Sequence, residues 1–429
     1  MKITILTYGS SGDVIPYISL TLGLMERGYE VKLAAPQNFE TLIKNYGINY
    51  CRLFGDIDQL LQSDGGKAMF ATGNVKLITS KMATLRYSMR HELNNDLFTA
   101  SVGSDIIIVG TLTLLYTATI SEKLQIPILV ANVNPVSVST KKFPHFFVAA
   151  KALPFGFLNH LTFNLFFNAQ EKAYADDLLE WRNSLGLAAV KTSVYRQIRK
   201  LKVPVLFGYS PVILSKPTDW DSTITVSGVW KLDEKYKHSE LPSAELADWL
   251  KAGSAPVYFG FGSMPVLNPQ EISVMVSEIC QELGLRAVIN AGWSRFEGKE
   301  NSSADPVYFI KHTNLEWLFP QCAIIVHHGG VGTTHISIEA GVPTIICSIF
   351  ADNPLWGERL ERLKIGKHIK YKDLSKKKLV KAITKLNNVE TKNRAMQIAG
   401  RIKAEDGLKN ALDFIGENLK NATIYNEDI

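Results

Sequence analysis

Short apolar runs alternate along the chain with longer segments whose apolar residues recur at helical spacing. In the first half these runs cover residues 3–7, 30–35, 50–54, 105–109, 128–132 and 204–207. In the second half they cover residues 256–260, 287–290, 307–310, 323–327, 344–348 and 368–371. Strand-length runs that alternate with helices are typical of parallel sheets covered by helices. The pattern therefore predicts two similar α/β halves.

A looser pattern separates the two halves. Residues 211–245 hold three prolines, Pro211, Pro217 and Pro242, and several charges, but no regular periodicity. A chain of 429 residues also exceeds what one hydrophobic core usually organises. We therefore predict a first domain over 1–215, a linker over 216–245, a second domain over 246–400 and a helical, polar C-terminal segment over 401–429.

Composition is that of an ordinary globular enzyme, with 46% hydrophobic and 21% charged residues. The first apolar run ends at Gly9 and is too short for a signal-peptide core, so we expect a cytoplasmic protein. The four cysteines are far apart and lack metal-ligand spacing, which favours reduced thiols.

Net charge is +6, and lysines are frequent late in the chain, as in the run 376–378. This run predicts a solvated helix face, and a weak association with an acidic membrane surface is the less favoured alternative. Basic and aromatic residues do not interleave in the way typical of nucleic-acid binding. We therefore expect no nucleic-acid partner, and the oligomeric state stays open.

The most informative segment is Ile-Ile-Val-His-His-Gly-Gly-Val-Gly-Thr-Thr-His-Ile, residues 324–336. It predicts a strand, a glycine-rich turn and the first turn of a helix, whose free N–H groups favour an anion. The lysine of a Walker loop is absent. Composition alone leaves two interpretations open, a diphosphate site and a tight turn in which Thr333 only caps the helix.

Three stretches together carry a family resemblance: 328–334, 339–343 and Phe-Ala-Asp-Asn-Pro-Leu-Trp-Gly at 350–357. They resemble the donor-binding signature of family 1 glycosyltransferases, most of all sterol glucosyltransferases and vancomycin-type antibiotic glycosyltransferases. Segments 260–264, 291–293 and 314–320 fit the same group in order and spacing. The resemblance implies a GT-B fold, with two Rossmann-like domains facing each other across a cleft and the nucleotide sugar held mainly by the second.

The resemblance also assigns residues to the donor by position. The diphosphate residues are Ser263, His328, Gly330, Gly332, Thr333 and Thr334; the uracil residues are His312, Asn314 and Leu315; the sugar residues are Asp352 and Asn353. Gly12, from the loop after the first strand, is also counted as donor-binding.

Three positions depart from the family pattern. Asn353 stands where many members have glutamine, Ile336 where plant members have a ribose-binding glutamate, and His312 where they have tryptophan. The chain therefore differs from the plant branch. Glucose is the favoured sugar, but sugar identity and the choice between a UDP and a TDP donor stay open.

The loop after the first strand, Gly9-Ser10-Ser11-Gly12-Asp13-Val14-Ile15-Pro16, holds the candidate base. It lacks the G-x-G-x-x-G spacing, so we do not expect a nicotinamide cofactor. By spacing alone, Asp13 is either a first-turn helix carboxylate or a general base. The loop resembles the Gly-Ser-Arg-Gly-Asp-Val-x-Pro loop of the sterol and antibiotic branch, in which the aspartate is the base. Ser11 replaces the arginine of that loop.

The resemblance thus implies an inverting glycosyltransferase with Asp13 as general base. It would move a sugar from a UDP-sugar to a hydroxyl of a small lipophilic acceptor, such as a sterol, terpenoid, flavonoid or polyketide. We expect no metal and no cofactor beyond this co-substrate. A UDP-sugar 2-epimerase, a lipid-linked-precursor transferase and a non-catalytic nucleotide-sugar binder remain alternatives.

Two further features bear on these expectations. The aromatic stretch 143–181 predicts two or three helices that help to wall an acceptor pocket. The pairs Asp56/Asp58 and Asp219/Asp221 are interpreted as surface carboxylates rather than metal ligands. His327 and His328 are neighbours on a strand and are expected to point to opposite faces, which disfavours a shared metal.

Overall fold

The computed structural model describes residues 1–56, 59, 75–237, 243–260, 269–290, 301, 305–311, 313–419 and 423–425. Two compact units are present. Among the described residues, the first unit comprises 1–56, 75–237 and those from 406 onward, and the second comprises 243–405. Residues 216–237 of the predicted linker, and the predicted C-terminal segment from 406 onward, belong to the first unit.

The first unit contains a parallel sheet of seven strands in the order β3-β2-β1-β4-β5-β6-β7. Its strands are β1 Lys2–Leu6, β2 Glu30–Pro36, β3 Asn49–Leu53, β4 Ile106–Val109, β5 Ile128–Asn132, β6 Val205–Phe207 and β7 Ile224–Val226. The six strands predicted for this half are all present. The seventh, β7, falls in the segment interpreted as a linker, because its three residues are too short to produce an apolar run.

Helices cover the first sheet. They are α1 Ser11–Glu26, α2 Glu40–Asn45, α3 Val75–Ser88, α4 Arg90–Ser101, α5 Leu114–Leu124, α6 Gly156–Ala173, α7 Ala175–Ser184, α8 Val194–Lys200 and α16 Gly407–Asn418. The C-terminal helix α16 lies directly on α1. A Cβ placed on Gly23 would lie 2.6 Å from Leu412 Cδ1, so the glycine allows this close packing.

The second unit contains a parallel sheet of six strands in the order β10-β9-β8-β11-β12-β13. Its strands are β8 Val257–Gly260, β9 Ala287–Asn290, β10 Val307–Ile310, β11 Ile324–His327, β12 Thr344–Ser348 and β13 Gly366–Lys370. Its helices are α9 Ala244–Lys251, α10 Pro269–Leu283, α11 Leu315–Leu318, α12 Val331–Glu339, α13 Asn353–Arg362, α14 Lys376–Leu386 and α15 Val389–Lys403. All six strands predicted for this half are present.

In both sheets the order of the strands reverses at the first strand of the unit. In the first unit β1 lies between β2 and β4, and in the second β8 lies between β9 and β11. The chain builds one side of each sheet and then crosses to the other, so the loops at the carboxyl ends of these central strands diverge. Ligands of open parallel sheets bind at such switch points. The loop after β1 and the loop after β11 both lie there.

The central strands are buried on both faces, as the fully buried Ile-Ile-Ile-Val of β4 illustrates, whereas the edge strands β3 and β13 are partly exposed. In the second unit two apolar clusters flank the sheet, one including Val276 of α10 and the other Leu318 of α11. The four cysteines are free thiols. Among the described helices, none combines the length and apolarity that crossing a bilayer requires.

Candidate active site

The glycine-rich turn joins β11 to α12 in three residues, 328–330. Gly329 adopts φ +98°, a conformation that side chains disfavour. A Cβ at this position would also lie 2.6 Å from Ile346 Cγ2 and 3.0 Å from Asn353 Cβ. Only glycine therefore fits between β12 and the first residue of α13.

The start of α12 is an open helix N-terminus. Its N-cap is Gly330, which has no capping side chain, and Thr334 N–H donates to the Gly330 carbonyl at 2.9 Å. The preceding N–H groups, those of residues 331–333, have no acceptor within the helix. Among the described residues, no neighbouring atom lies within 4 Å of a Cβ built on Gly332, so they leave the space above the first turn open. This arrangement suits an anion.

The two threonines of this turn have different environments. Thr334 is fully buried, and its hydroxyl donates to the Gly330 carbonyl at 2.9 Å. Thr333 is partly exposed. Gly330 is the N-cap of α12, so the alternative interpretation in which Thr333 caps the helix is wrong. Of the two hydroxyls, that of Thr333 is the one accessible to a ligand.

The two histidines before the turn have separate roles. His327 is fully buried, and its Nδ1 accepts the Gly329 N–H at 3.0 Å, which supports the turn. The His328 ring lies beside Gly330, where an added Cβ would be 2.6 Å from Nε2. Burial lowers the pKa of His328 to about 4. The imidazole is therefore neutral near pH 7 and can donate one hydrogen bond to a ligand without adding charge.

The segment at the start of α13 lies against the glycine-rich turn. Asp352 is the N-cap residue of α13 and Asn353 its first residue, and both are buried, with exposed fractions of 7% and 5%. Asp352 Oδ2 accepts the indole N–H of Trp356 at 2.8 Å. Asn353 Oδ1 accepts the Phe350 N–H at 3.4 Å. The fold thus brings the predicted phosphate and sugar residues together.

Trp356 is a structural part of this site that sequence reasoning missed. It is fully buried, and its ring centroid lies 5.5 Å from that of His335, in an edge-on arrangement. His335 Nδ1 in turn lies 2.7 Å from the Val331 carbonyl oxygen. Trp356 therefore connects α12 to α13. The signal was available, since a buried tryptophan generally needs an acceptor for its N–H.

Two of the three predicted uracil residues, Asn314 and Leu315, lie at the start of α11, which contacts α12. Asn314 caps α11, its Oδ1 accepting the N–H of Glu316 at 2.9 Å and of Trp317 at 3.4 Å. Leu315 is partly buried and packs, like Ile336 of α12, on the apolar cluster beneath. Two predicted donor residues, Ser263 and His312, lie outside the described residues.

Asp13 occupies the switch point of the first unit. Gly9 has φ +135°, and a Cβ there would overlap the Asp13 carboxylate. Asp13 Oδ2 accepts the Ser10 N–H at 3.0 Å and the Ser10 hydroxyl at 3.2 Å. The Thr7 hydroxyl donates to the Asp13 carbonyl at 2.5 Å. Asp13 is therefore a first-turn carboxylate held in one orientation, and Gly12 beside it is exposed.

Polar residues from neighbouring strands lie at the same edge of this sheet. Thr111, just after β4, donates to Asn132 Oδ1 at the end of β5, and Asn132 Nδ2 donates to the Ser137 hydroxyl at 2.8 Å. Gly110 N–H donates to the Leu6 carbonyl at 2.9 Å, which joins this edge to β1. These residues were not predicted, although polar residues directly after buried strands are the expected signal.

The aromatic stretch forms α6 and α7 after an irregular segment. His145 is its centre: the ring is fully buried and stacks on Phe166 with centroids 3.8 Å apart. Phe143, Phe163 and Phe167 are also buried, whereas Phe155 and Phe157 are exposed. Part of the stretch is therefore core, and part forms surface.

The second aspartate pair serves loop structure. Asp219 accepts from the Thr140 hydroxyl and from Lys141 N–H, each at 2.7 Å. Burial raises the pKa of Asp221, but hydrogen bonds from Thr223 and Arg199 outweigh burial and lower the pKa to about 2. Of the first pair, Asp58 lies outside the described residues. Within the described part of the chain, no cluster of His, Cys, Asp and Glu has metal-binding geometry.

Comparison with known proteins gives matches in both units. Residues 3–141 match the glycosyltransferase family 28 N-terminal domain, and residues 298–407 match the erythromycin biosynthesis protein CIII-like C-terminal domain. The chain is 32% identical over 444 residues to a sterol 3-beta-glucosyltransferase of Cryptococcus neoformans, covering 98% of this chain and 27% of the relative. It is also 32% identical over 434 residues to the enzyme of the same name from Pichia angusta, covering 99% of this chain and 33% of that relative. The chain thus spans about a third or less of these relatives.

Solved structures show the same fold. The glycotransferase of kitacinnamycin superposes with a TM-score of 0.71 at 15% identity, covering 97% of this chain and 99% of that one. The glycosyltransferase VinC, solved in complex with DTDP, superposes with a TM-score of 0.68 at 17% identity, covering 98% of this chain and 100% of that one. Two parallel-sheet units with these neighbours define a GT-B fold. The chain therefore has the GT-B fold, and each of its two units matches a domain family of glycosyltransferases or antibiotic biosynthesis.

Proposed function

We propose that the protein transfers glucose from UDP-glucose to a hydroxyl of a small lipophilic acceptor, with inversion at the anomeric carbon. The observation that carries this proposal is the open N-terminus of α12. It lies at the switch point of the second sheet, with the His328 ring on one side and Asn353, which follows Asp352, packed against its turn. The relatives named as sterol 3-beta-glucosyltransferases support glucose as the sugar and a sterol as the first acceptor to test.

The diphosphate site works without a cationic side chain in this proposal. The N–H groups of residues 331–333 and the positive end of the α12 dipole meet the charge that grows on the leaving UDP. Neutral His328 adds one hydrogen bond, and the Thr333 hydroxyl adds another. Asp352 and Asn353 hold the sugar hydroxyls. We propose that neither a divalent metal nor a further cofactor is needed.

Asp13 acts as the general base. The acceptor hydroxyl gives its proton to the Asp13 carboxylate while its oxygen bonds to the anomeric carbon and UDP leaves from the opposite face. Attack from the opposite face inverts an α-linked donor to a β-glycoside. Hydrogen bonds from Ser10 to Oδ2 fix the carboxylate, which limits the reorientation needed during proton transfer.

Mass spectrometry of reaction products tests the proposal. The purified chain is incubated with UDP-glucose and, separately, sterols, terpenoids, flavonoids and macrolides, with a chelator present throughout. A hexose adduct on an acceptor is the expected result. Intact UDP-glucose and unmodified acceptors across the panel would contradict it. Conversion of UDP-N-acetylglucosamine without acceptor would instead indicate an epimerase, and activity only on a lipid-linked acceptor a precursor transferase.

A further inference from the structure

Helix α6 carries a row of exposed apolar side chains. Phe157, Leu161 and Leu165 follow each other at four-residue spacing on one face, with exposed fractions of 63%, 47% and 54%. Phe155, just before the helix, is 62% exposed and stacks on Phe157 with centroids 5.9 Å apart. Exposed apolar residues normally occur singly on a soluble surface, so a contiguous row indicates a binding face.

Hydrogen bonds hold this row outward. The opposite face of α6 buries three polar residues, Asn159, Thr162 and Gln170. Asn159 Nδ2 donates to the Lys141 carbonyl and its Oδ1 accepts the Leu153 N–H, both at 2.9 Å. Thr162 Oγ1 accepts the His145 N–H at 2.7 Å, and Gln170 Oε1 accepts the Tyr195 hydroxyl at 2.6 Å. Rotating the helix to bury the apolar row would break all of these bonds.

Lysines border the row. Lys141 lies against the first residue of α6, since a Cβ on Gly156 would be 3.0 Å from Lys141 Cβ, and Lys142 follows it; both are exposed. Residues 141–172 include four lysines and a single acidic residue, Glu171. Glu171 lies at the far end of α6, and its Oε1 accepts the Ser193 hydroxyl at 2.8 Å. Asp219, behind Lys141, has both carboxylate oxygens occupied by Thr140 and Lys141.

We propose that this face docks on an anionic lipid bilayer. We call it the α6 face and define it by Lys141, Lys142, Phe155, Phe157, Leu161 and Leu165. The aromatic and leucine side chains enter the boundary between headgroups and acyl chains, and the lysines meet the lipid phosphates. Self-association through the same face is the alternative that the experiment distinguishes.

This inference goes beyond the proposed reaction and does not depend on the acceptor. It gives the protein access to molecules dissolved in a membrane, whichever of them it glycosylates. Binding is also measured without nucleotide sugar or acceptor, so a failure of the docking inference and a failure of the proposed reaction are separate results.

Vesicle flotation tests the inference with the full chain. Phosphatidylcholine vesicles are compared with vesicles that contain about 30% phosphatidylserine, at low and at high salt. The wild-type chain is expected to float with the anionic vesicles, less with the neutral ones, and less at high salt. The pairs Phe155→Ser/Phe157→Ser and Lys141→Gln/Lys142→Gln should each lower the association constant about ten-fold or more.

Matched controls come from α14 and α15. Val389→Ser/Met396→Ser removes two exposed apolar residues elsewhere, and Lys377→Gln/Lys381→Gln removes two exposed lysines of the late lysine-rich helix. Both pairs should bind vesicles as the wild type does. Since all substituted side chains are exposed, melting temperatures should agree among the variants.

Three outcomes would overturn the inference. One is a wild-type chain that stays unbound by anionic vesicles. Another is equal loss of binding in the control pairs, which would place the contact elsewhere or make it nonspecific. The third is a Phe155→Ser/Phe157→Ser variant that binds vesicles normally. If this variant has a raised KM for a water-soluble acceptor, the face serves acceptor entry. If it is a monomer where the wild type is a dimer, the face serves self-association.

Discussion

Asp13 and Trp356 act on the two ends of the proposed transfer, and each is held by a specific contact. The Asp13 carboxylate is oriented by two hydrogen bonds from Ser10, in a space that Gly9 leaves free. The Trp356 indole donates to Asp352 from within the core of the second unit. In the proposed transfer their roles are separable, because Asp13 would take the acceptor proton and Trp356 would act only through Asp352.

Replacing Asp13 by asparagine tests the base. The amide keeps the shape of the side chain and an oxygen for the Ser10 N–H, but it cannot take up the acceptor proton. We expect kcat to fall roughly 10²–10⁴-fold, while the UDP dissociation constant measured by calorimetry stays within about two-fold because UDP binding does not need the base. A variant that keeps wild-type kcat would show that Asp13 is only a helix-turn carboxylate.

Replacing Trp356 by phenylalanine tests a positioning role. The ring packing on His335 is largely kept, but Asp352 loses its indole hydrogen bond. We expect kcat/KM for UDP-glucose to fall about ten-fold, whereas affinity for UDP without sugar stays unchanged. Trp249→Phe is the matched control, since that buried indole donates to the Asp305 carbonyl instead. Equal losses of UDP and UDP-glucose binding would indicate a purely structural tryptophan.

At the scale of single elements, the proposed diphosphate site of the second unit depends on the start of α12. Gly329, Gly330 and Gly332 differ in what surrounds them. Added methyl groups at the first two would meet Ile346 and His328 at 2.6 Å, whereas one at Gly332 would meet none of the described residues within 4 Å. Gly332 therefore separates a requirement of the ligand from a requirement of the fold.

Replacing Gly332 by alanine should weaken donor binding without weakening the protein. The methyl group would occupy the space proposed for the diphosphate, so we expect UDP affinity to fall at least about ten-fold, measured by calorimetry. Melting temperature should stay level or rise, as for Gly400→Ala in α15, which also points into open space. Unchanged UDP affinity in Gly332→Ala would place the diphosphate elsewhere.

The sequence predicts these elements unevenly. The uninterrupted Ile-Ile-Ile-Val of β4 reads as a buried strand, while β7 lies among prolines and charges and was missed. The β11 turn was predictable because its glycines interrupt an apolar run. The packing of Asn353 against Gly329 was not, because strand order and the placement of α13 depend on tertiary contacts that no local pattern encodes.

Across the whole molecule, three buried histidines couple stability to pH. Burial lowers the pKa of His328 to about 4, that of His145 to about 3, and that of His327 well below its usual value. In the unfolded chain each imidazole takes up a proton below about pH 6.5, whereas in the folded chain it stays neutral. Protonation at acid pH therefore favours the unfolded chain.

We expect the free energy of unfolding to be insensitive to these groups above about pH 7 and to fall below about 6.5, by up to ~1.4 kcal/mol per pH unit for each histidine. Urea unfolding at about pH 7.5, 6.0 and 5.0 measures this, with the first value above the expected window and the other two within it. His145→Phe should reduce the slope, and the control His91→Gln, at an exposed imidazole, should keep it. A slope unchanged by His145→Phe would show that this histidine is protonated in the fold.

The central claim, direct sugar transfer with inversion, is tested most directly by proton NMR of the glycoside formed from α-linked UDP-glucose and the best acceptor of the panel. We expect a β-linked product from the wild-type chain and almost none from Asp13→Asn. An α-linked product, or free glucose with the acceptor unchanged, would contradict it.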